Sequence, residues 1–426
     1  MPIIRPMTPP TPQKPPRHLQ LSDLRAAAQL ASQATVGVVR IAEGVHQAVW
    51  RTLGAPQGAQ PGQTRGLTGL VYRTVEGSAQ LLGQGAQGVL ARLEPLLASA
   101  DAQAPGSPQR EAVLAALNGV MGDRLAASHN PLATPMSLRW KGEALHWQAL
   151  PPGMAKGVSG KVLLLVHGLC MNDLQWQAGP GTEQVDFGAA LAARLGYTPV
   201  YLRYNTGQHT SDNGLALALQ LEQLARHWPV PLQEITVLAH SMGGLVTRSA
   251  VAQARLQALQ WPAHLQNIVF LGTPHHGAPL ERAGHWVDQL LGTTPFSAPF
   301  ARLAQLRSAG ITDLRYGHVL AADWQGRDRF RRTPDSRVPV PLPDGVACYT
   351  VAATTAGQRS LLADRLVGDG LVPLRSALGQ HDEAARTLAF AKPAQWIAYR
   401  THHMALLHSA AVAQQVESWL APASAA

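Results

Sequence analysis

From about residue 136 the chain alternates short apolar runs with longer stretches whose apolar positions recur every three or four residues. The runs fall at 162–166, 199–204, 235–239, 268–271 and 346–352. Short apolar runs set between helical patterns read as strands buried on both faces, and their alternation with helices builds a parallel sheet. Just ahead of them Leu138 and Trp140, then Leu145 and Trp147, alternate with polar neighbours about Lys141-Gly142, the pattern of a β-hairpin. The spacing therefore predicts an α/β domain over 136–422. Residues 278–345 break the alternation with helical pieces and a proline-rich end (Pro334, Pro339, Pro341, Pro343), and an insertion of that length between strands is expected to be a lid.

The front of the chain follows other rules. Residues 1–19 are proline-rich, with Pro2, Pro6, Pro9, Pro10, Pro12, Pro15 and Pro16 close together, and are expected to be a disordered tail. Residues 20–128 carry helical spacing, interrupted at 54–62 and 102–107. Ser107-Pro108 has the form of an N-cap followed by proline at the first helical position, opening a helix to about Ala127. The helices before it are dotted with glycine (Gly77, Gly83, Gly85, Gly88), each costing up to about 1 kcal/mol against alanine, so they need a surface to pack on. Two fates stand open for this region: packing on the α/β domain, which its mixed charges favour, or peripheral contact with a membrane or granule surface.

The strongest local chemical signal is Ile235-Thr236-Val237-Leu238-Ala239-His240-Ser241-Met242-Gly243-Gly244. An apolar strand enters a helix through one tight turn with serine at its tip, the pattern of a nucleophile elbow. The strand before and the helix after nearly touch, so small residues are needed two places either side. Gly243 meets that demand, and Ala239 stands where the common pattern has glycine. Serine is a poor nucleophile until an imidazole takes its proton and a carboxylate orients the imidazole. Asp369 sits between Gly368 and Gly370, where a sharp turn can aim one carboxylate inward, and Asp364 is the alternative; with the acid after Ser241 and the base after the acid, His381, His402, His403 and His408 are the possible bases.

Four segments in order, Val166-His167-Gly168-Leu169, Ala239-His240-Ser241-Met242-Gly243-Gly244, Gly272-Thr273-Pro274-His275-His276-Gly277 and Gly368-Asp369-Gly370-Leu371-Val372-Pro373, resemble the α/β-hydrolase superfamily. The resemblance is to bacterial lipases and the lipase-like domain of inositol deacylases of GPI anchors. It covers about 160–410 and implies a mostly parallel sheet with a Ser-Asp-His triad in that chain order. His403, followed by Met404-Ala405-Leu406-Leu407, resembles the family's histidine at the opening of the last helix, with His402 as its neighbouring alternative. The resemblance also implies an oxyanion hole from the backbone N–H groups of Met242, next to the nucleophile, and Leu169. His275 is implied to fix the loop beside the serine. The adjacent His275 and His276 point in different directions and no cluster with ligand spacing surrounds them, so no metal or other cofactor is expected.

Composition narrows the picture further. At 46% hydrophobic and 14% charged, the 426 residues are globular rather than disordered, and two cysteines exclude a disulfide scaffold. The net charge of +9 is spread without basic clusters, so no nucleic-acid partner is expected. No stretch approaches the roughly 20 apolar residues of a membrane span, and the proline-rich start is unlike a signal peptide, so the expected location is cytoplasmic. The insertion is apolar (Trp286, Val287, Leu290, Leu291, Phe296, Phe300), which favours an acyl or lipid-like ester substrate. The same triad serves thioesterases, amidases and polyester depolymerases, and the fold also serves non-catalytic binding proteins.

Overall fold

The computed structural model describes residues 108–177, 185–278, 308–327, 335–357 and 368–421. The expected tail, the helices before 108, the apolar part of the insertion and Asp364 lie outside the described residues. Contacts divide the chain into residues 1–111 and residues 112–426, and the sheet belongs to the second unit.

Helix α1 (Pro108–Ala127) spans the stretch expected to open at Pro108, where the missing proline N–H costs no intrahelical bond. From Ala112 onward it groups with the sheet rather than with the residues before it. Val120, Met121 and Leu125 are buried. Asn118 ties the helix to the next segment, donating to Leu132 O at 2.8 Å and accepting Thr134 N–H at 2.9 Å.

Eight strands form one sheet: β1 (Ser137–Trp140), β2 (Glu143–Ala144), β3 (Lys161–Val166), β4 (Thr198–Arg203), β5 (Glu234–His240), β6 (Leu265–Leu271), β7 (Ala347–Thr354) and β8 (Gln395–Tyr399). Their order is β2-β1-β4-β3-β5-β6-β7-β8. The hairpin β1–β2 and the β1–β4 pair are antiparallel, and every pair from β4 to β8 is parallel. Strand β8 has no counterpart in the sequence expectations. It is a five-residue edge strand with only Ala398 fully buried, so it lacks the continuous apolar run that marks β3 and β5.

The interior strands are apolar on both faces because helices cover both. Leu163, Leu165, Leu238, Val269, Leu271 and Val351 pack with Phe187 and Leu191 of α3 (Phe187–Leu195) and with Val412, Val416 and Leu420 of α8 (Ala410–Leu420). Side chains alternate along a strand, so Val166 and its like face the other way, toward α5 (Met242–Leu256), which packs beside α4 (Thr210–His227). Fully burying each of these leucines and valines contributes roughly 1.5–3 kcal/mol. The remaining helices are short: α2 (Met154–Gly157), α6 (Ala309–Tyr316) from the insertion, and α7 (Leu374–Ala377) after the Asp369 loop.

The parallel strands end along one edge. The loops leaving β3, β5, β6, β7 and β8 there carry Leu169, Ser241, Gly272, Asp369 and His403. Ligands in open α/β sheets bind outside the carboxyl ends of the strands, and this edge is that end of the sheet.

Candidate active site

Strand β5 runs into α5 through Ser241 alone. Its backbone sits at φ 54°, ψ −124°, a region that residues with a Cβ rarely enter and that persists only where surroundings over-determine it. The surroundings do so. Ser241 N–H donates to Leu271 O at 2.8 Å, and Gly244 N–H donates to Ser241 O at 3.0 Å. The helix crosses the end of β3 so closely that a Cβ added to Gly243 would lie 2.5 Å from Val166 O and 2.7 Å from His167 O. That contact is why glycine stands two places after the serine.

The imidazole and carboxylate arrive from loops after β8 and β7. His403 Nδ1 donates to Asp369 Oδ2 at 2.6 Å, and His403 N–H donates to Asp369 O at 3.1 Å. The second carboxylate oxygen, Oδ1, accepts the N–H groups of Leu371 at 2.9 Å and Val372 at 2.7 Å. Asp369 is thereby held at both oxygens inside its glycine-flanked turn, with both side chains almost fully buried. Because Nδ1 faces a carboxylate it carries the proton, which leaves Nε2 as a lone-pair acceptor. That Nε2 is buried and has no hydrogen-bond partner among the described residues, Ser241 included. His402 is exposed, and it is His403 that meets Asp369. His381 lies elsewhere, near Asp335, with its Nε2 3.5 Å from Oδ2.

Close packing joins the two halves of the site. His240, the residue before Ser241, donates from Nε2 to His403 O at 3.2 Å, and their rings are 4.6 Å apart. A Cβ on Gly272 would lie 3.1 Å from His403 Cε1. A Cβ on Gly168 would lie 3.0 Å from Ser241 Cβ. The loop after β3, the elbow and the His403 ring therefore converge.

Met242 is the first residue of α5, so its N–H has no intrahelical acceptor and lies at the positive end of the helix dipole. Leu169 is buried in the turn after β3, immediately before Cys170, which takes φ 58°. Burial pushes the Cys170 thiol up to about 12, so it stays protonated. The neighbouring imidazoles are neutral for the same reason. Burial lowers His167 to about 4, and holds His240 and His275 well below the usual histidine range. His275 packs against Phe270 and Phe390, whereas His276 hydrogen-bonds Gly379 O through Nε2 at 3.0 Å. The two rings thus serve separate contacts, and among the described residues no three His, Cys, Asp or Glu side chains form a group able to hold a metal ion.

Residues outside the recognisable motifs also shape the site. His240 was signalled only by its adjacency to the serine. Tyr204 and Thr206, at the end of β4, carry no motif; they reach the loop after β3 through the β3–β4 register. A second buried cluster, Asp313 accepting from His209 at 3.0 Å, His318 at 3.1 Å and Thr210 N–H at 2.7 Å, anchors α6 to the start of α4.

Residues 127–314 match the family model described as "Domain of unknown function (DUF7379)". No curated protein matches the sequence significantly. Among solved structures, the mature lipase BlEst2 of Bacillus licheniformis is 17% identical, covering 68% of this chain and all of that one, with a TM-score of 0.39. Lipase B of Aspergillus fumigatus is 12% identical over 91% of this chain and 81% of that one, with a TM-score of 0.38. A thermophilic esterase from Thermogutta terrifontis is 14% identical over 67% and 92%, with a TM-score of 0.33. Likenesses this distant say nothing of activity. The strand order, the parallel pairing from β4 to β8 and the strand–serine–helix elbow are this chain's own features, and with them it has the α/β-hydrolase fold.

Proposed function

We propose that the protein is a serine hydrolase that cleaves carboxylic esters, with Ser241 as nucleophile, His403 as general base and acid, and Asp369 as the group that orients the imidazole. The observation that carries the reading is the His403–Asp369 clasp, which leaves an unpartnered Nε2 packed beside a strained serine turn. Ser241 Oγ attacks the acyl carbonyl carbon while Nε2 takes the hydroxyl proton. The carbonyl oxygen becomes an oxyanion facing the N–H groups of Leu169 and Met242, each worth about 3 kcal/mol in such a site. Collapse breaks the C–O bond to the leaving alcohol, which receives the proton from His403. Water then attacks the acyl-enzyme, gives its proton to Nε2, and the acid leaves as Ser241 regains its hydrogen.

The substrate class in this reading is an acyl or lipid-like ester, from the apolar tone of 286–306 in the sequence. A fluorophosphonate probe and a chain-length series of nitrophenyl esters test it. Wild type is expected to label and turn over, Ser241→Ala to do neither while keeping its circular dichroism spectrum. Turnover by Ser241→Ala near the wild-type rate refutes the reading.

A further inference from the structure

The loop after β3 contains a residue in a conformation that a side chain disfavours. Cys170 lies at φ 58°, directly after Leu169, and such a backbone relaxes unless its neighbours hold it. Two side chains from the end of β4 grip it. Tyr204 stacks on the His167 ring, centroids 4.4 Å apart, and its hydroxyl donates to His167 O at 2.8 Å. Thr206 Oγ1 accepts Cys170 N–H at 3.1 Å. The two bonds bracket Gly168 and Leu169, one on each side. Thr206 itself is immobilised. It is 1% exposed, and a Cβ on Gly310 of α6 would lie 2.0 Å from its carbonyl oxygen. Gly310 N–H donates to Gly207 O at 3.0 Å, locking the next residue to the same helix.

We propose that Thr206 is a positioning residue for the oxyanion loop: by accepting Cys170 N–H it holds the left-handed turn that aims Leu169 N–H at the substrate oxygen. The proposal rests on the serine hydrolase reading. Replacing Thr206 with valine keeps its volume and removes the side chain's only hydrogen-bonding atom. Cys170 N–H then loses its acceptor, the turn relaxes, and Leu169 N–H swings off line. An oxyanion exists only after attack on the carbonyl, so the loss falls on kcat and leaves KM alone. A residue that merely stabilised the fold would lower the amount of active enzyme and leave the affinity of each active molecule for a transition-state mimic unchanged.

The test uses the full chain as wild type, Thr206→Val and Thr206→Ser, with a nitrophenyl ester and a trifluoromethyl ketone whose adduct with Ser241 carries the oxyanion. Active enzyme is counted by fluorophosphonate titration. Thr206→Val is expected to lose about 10- to 100-fold in kcat per titrated site with KM within twofold. It should weaken ketone inhibition by the same factor, and Thr206→Ser should restore both. Thr206→Ala is read the same way if the valine variant does not fold. A kcat within twofold of wild type, a loss confined to KM, or a serine variant as impaired as valine overturns the assignment of Thr206 alone. A wild type that neither labels nor turns over overturns the hydrolase reading with it.

Discussion

Asp369→Asn isolates one hydrogen bond. In the native site Oδ1 accepts two backbone N–H groups at 2.9 and 2.7 Å, and Oδ2 accepts His403 Nδ1–H at 2.6 Å. Asparagine has one oxygen for these three donors. If that oxygen turned to His403, the amide NH2 would face Leu371 N–H and Val372 N–H, leaving both donors unsatisfied, the buried Val372 N–H at about 1–3 kcal/mol. The oxygen therefore stays with the backbone and the NH2 faces Nδ1. Two donors cannot share that contact, so the imidazole moves its proton to Nε2 and presents Nδ1 as acceptor. In the proposed reaction, the nitrogen that takes the serine proton is then already protonated. A wrong tautomer with intact geometry costs about 10⁴ in kcat in serine proteases that use the same three groups, close to 5.5 kcal/mol of barrier. The shape of the side chain is unchanged, so Tm should move by only a few degrees. The assay is kcat on a nitrophenyl ester, normalised by fluorophosphonate titration and checked by thermal unfolding. A kcat within tenfold of wild type in a folded Asp369→Asn protein refutes the tautomer argument.

Two further outcomes follow from the burial pattern. His167 is lowered by burial to about 4 in the folded chain and binds protons near 6.5 when unfolded. Between those values the unfolded state holds more protons, so its contribution is fully present above pH 6.5 and is lost as pH falls toward 4. It amounts to roughly 3 kcal/mol, with His240 and His275 acting in the same direction; a urea midpoint unchanged between pH 7 and pH 4.5 would contradict this. A fragment beginning at residue 129 lacks α1, and so loses the buried Val120, Met121 and Leu125, the Asn118 bonds and the Ser308 hydroxyl bond to Gly119 O at 2.6 Å. It should express as aggregate, and a monodisperse, active 129–426 protein in gel filtration would show that α1 is dispensable.

Some of this protein was legible one residue at a time. The apolar runs that became β3 to β7 and the elbow at Ser241 are local patterns, because burial on both faces and close strand–helix contact each dictate residue size over a few neighbouring positions. The proline-headed start of α1 is equally local. Strand β8 was not legible, since an edge strand needs no continuous apolar run. Nor did the sequence separate His403 from His402 by physics alone: the two are adjacent, and only the turn after β8 buries one ring against Asp369 and leaves the other exposed. The supports of the site were hidden most completely. Thr206 reaches Cys170 across 36 positions because β3 and β4 are parallel neighbours in register, and His240 reaches His403 O across 163 because the loops of β5 and β8 meet at one edge. A hydrogen bond depends on where two atoms end up within a few tenths of an ångström, and for residues this far apart in the chain that is decided by the packing of the whole sheet and its helices.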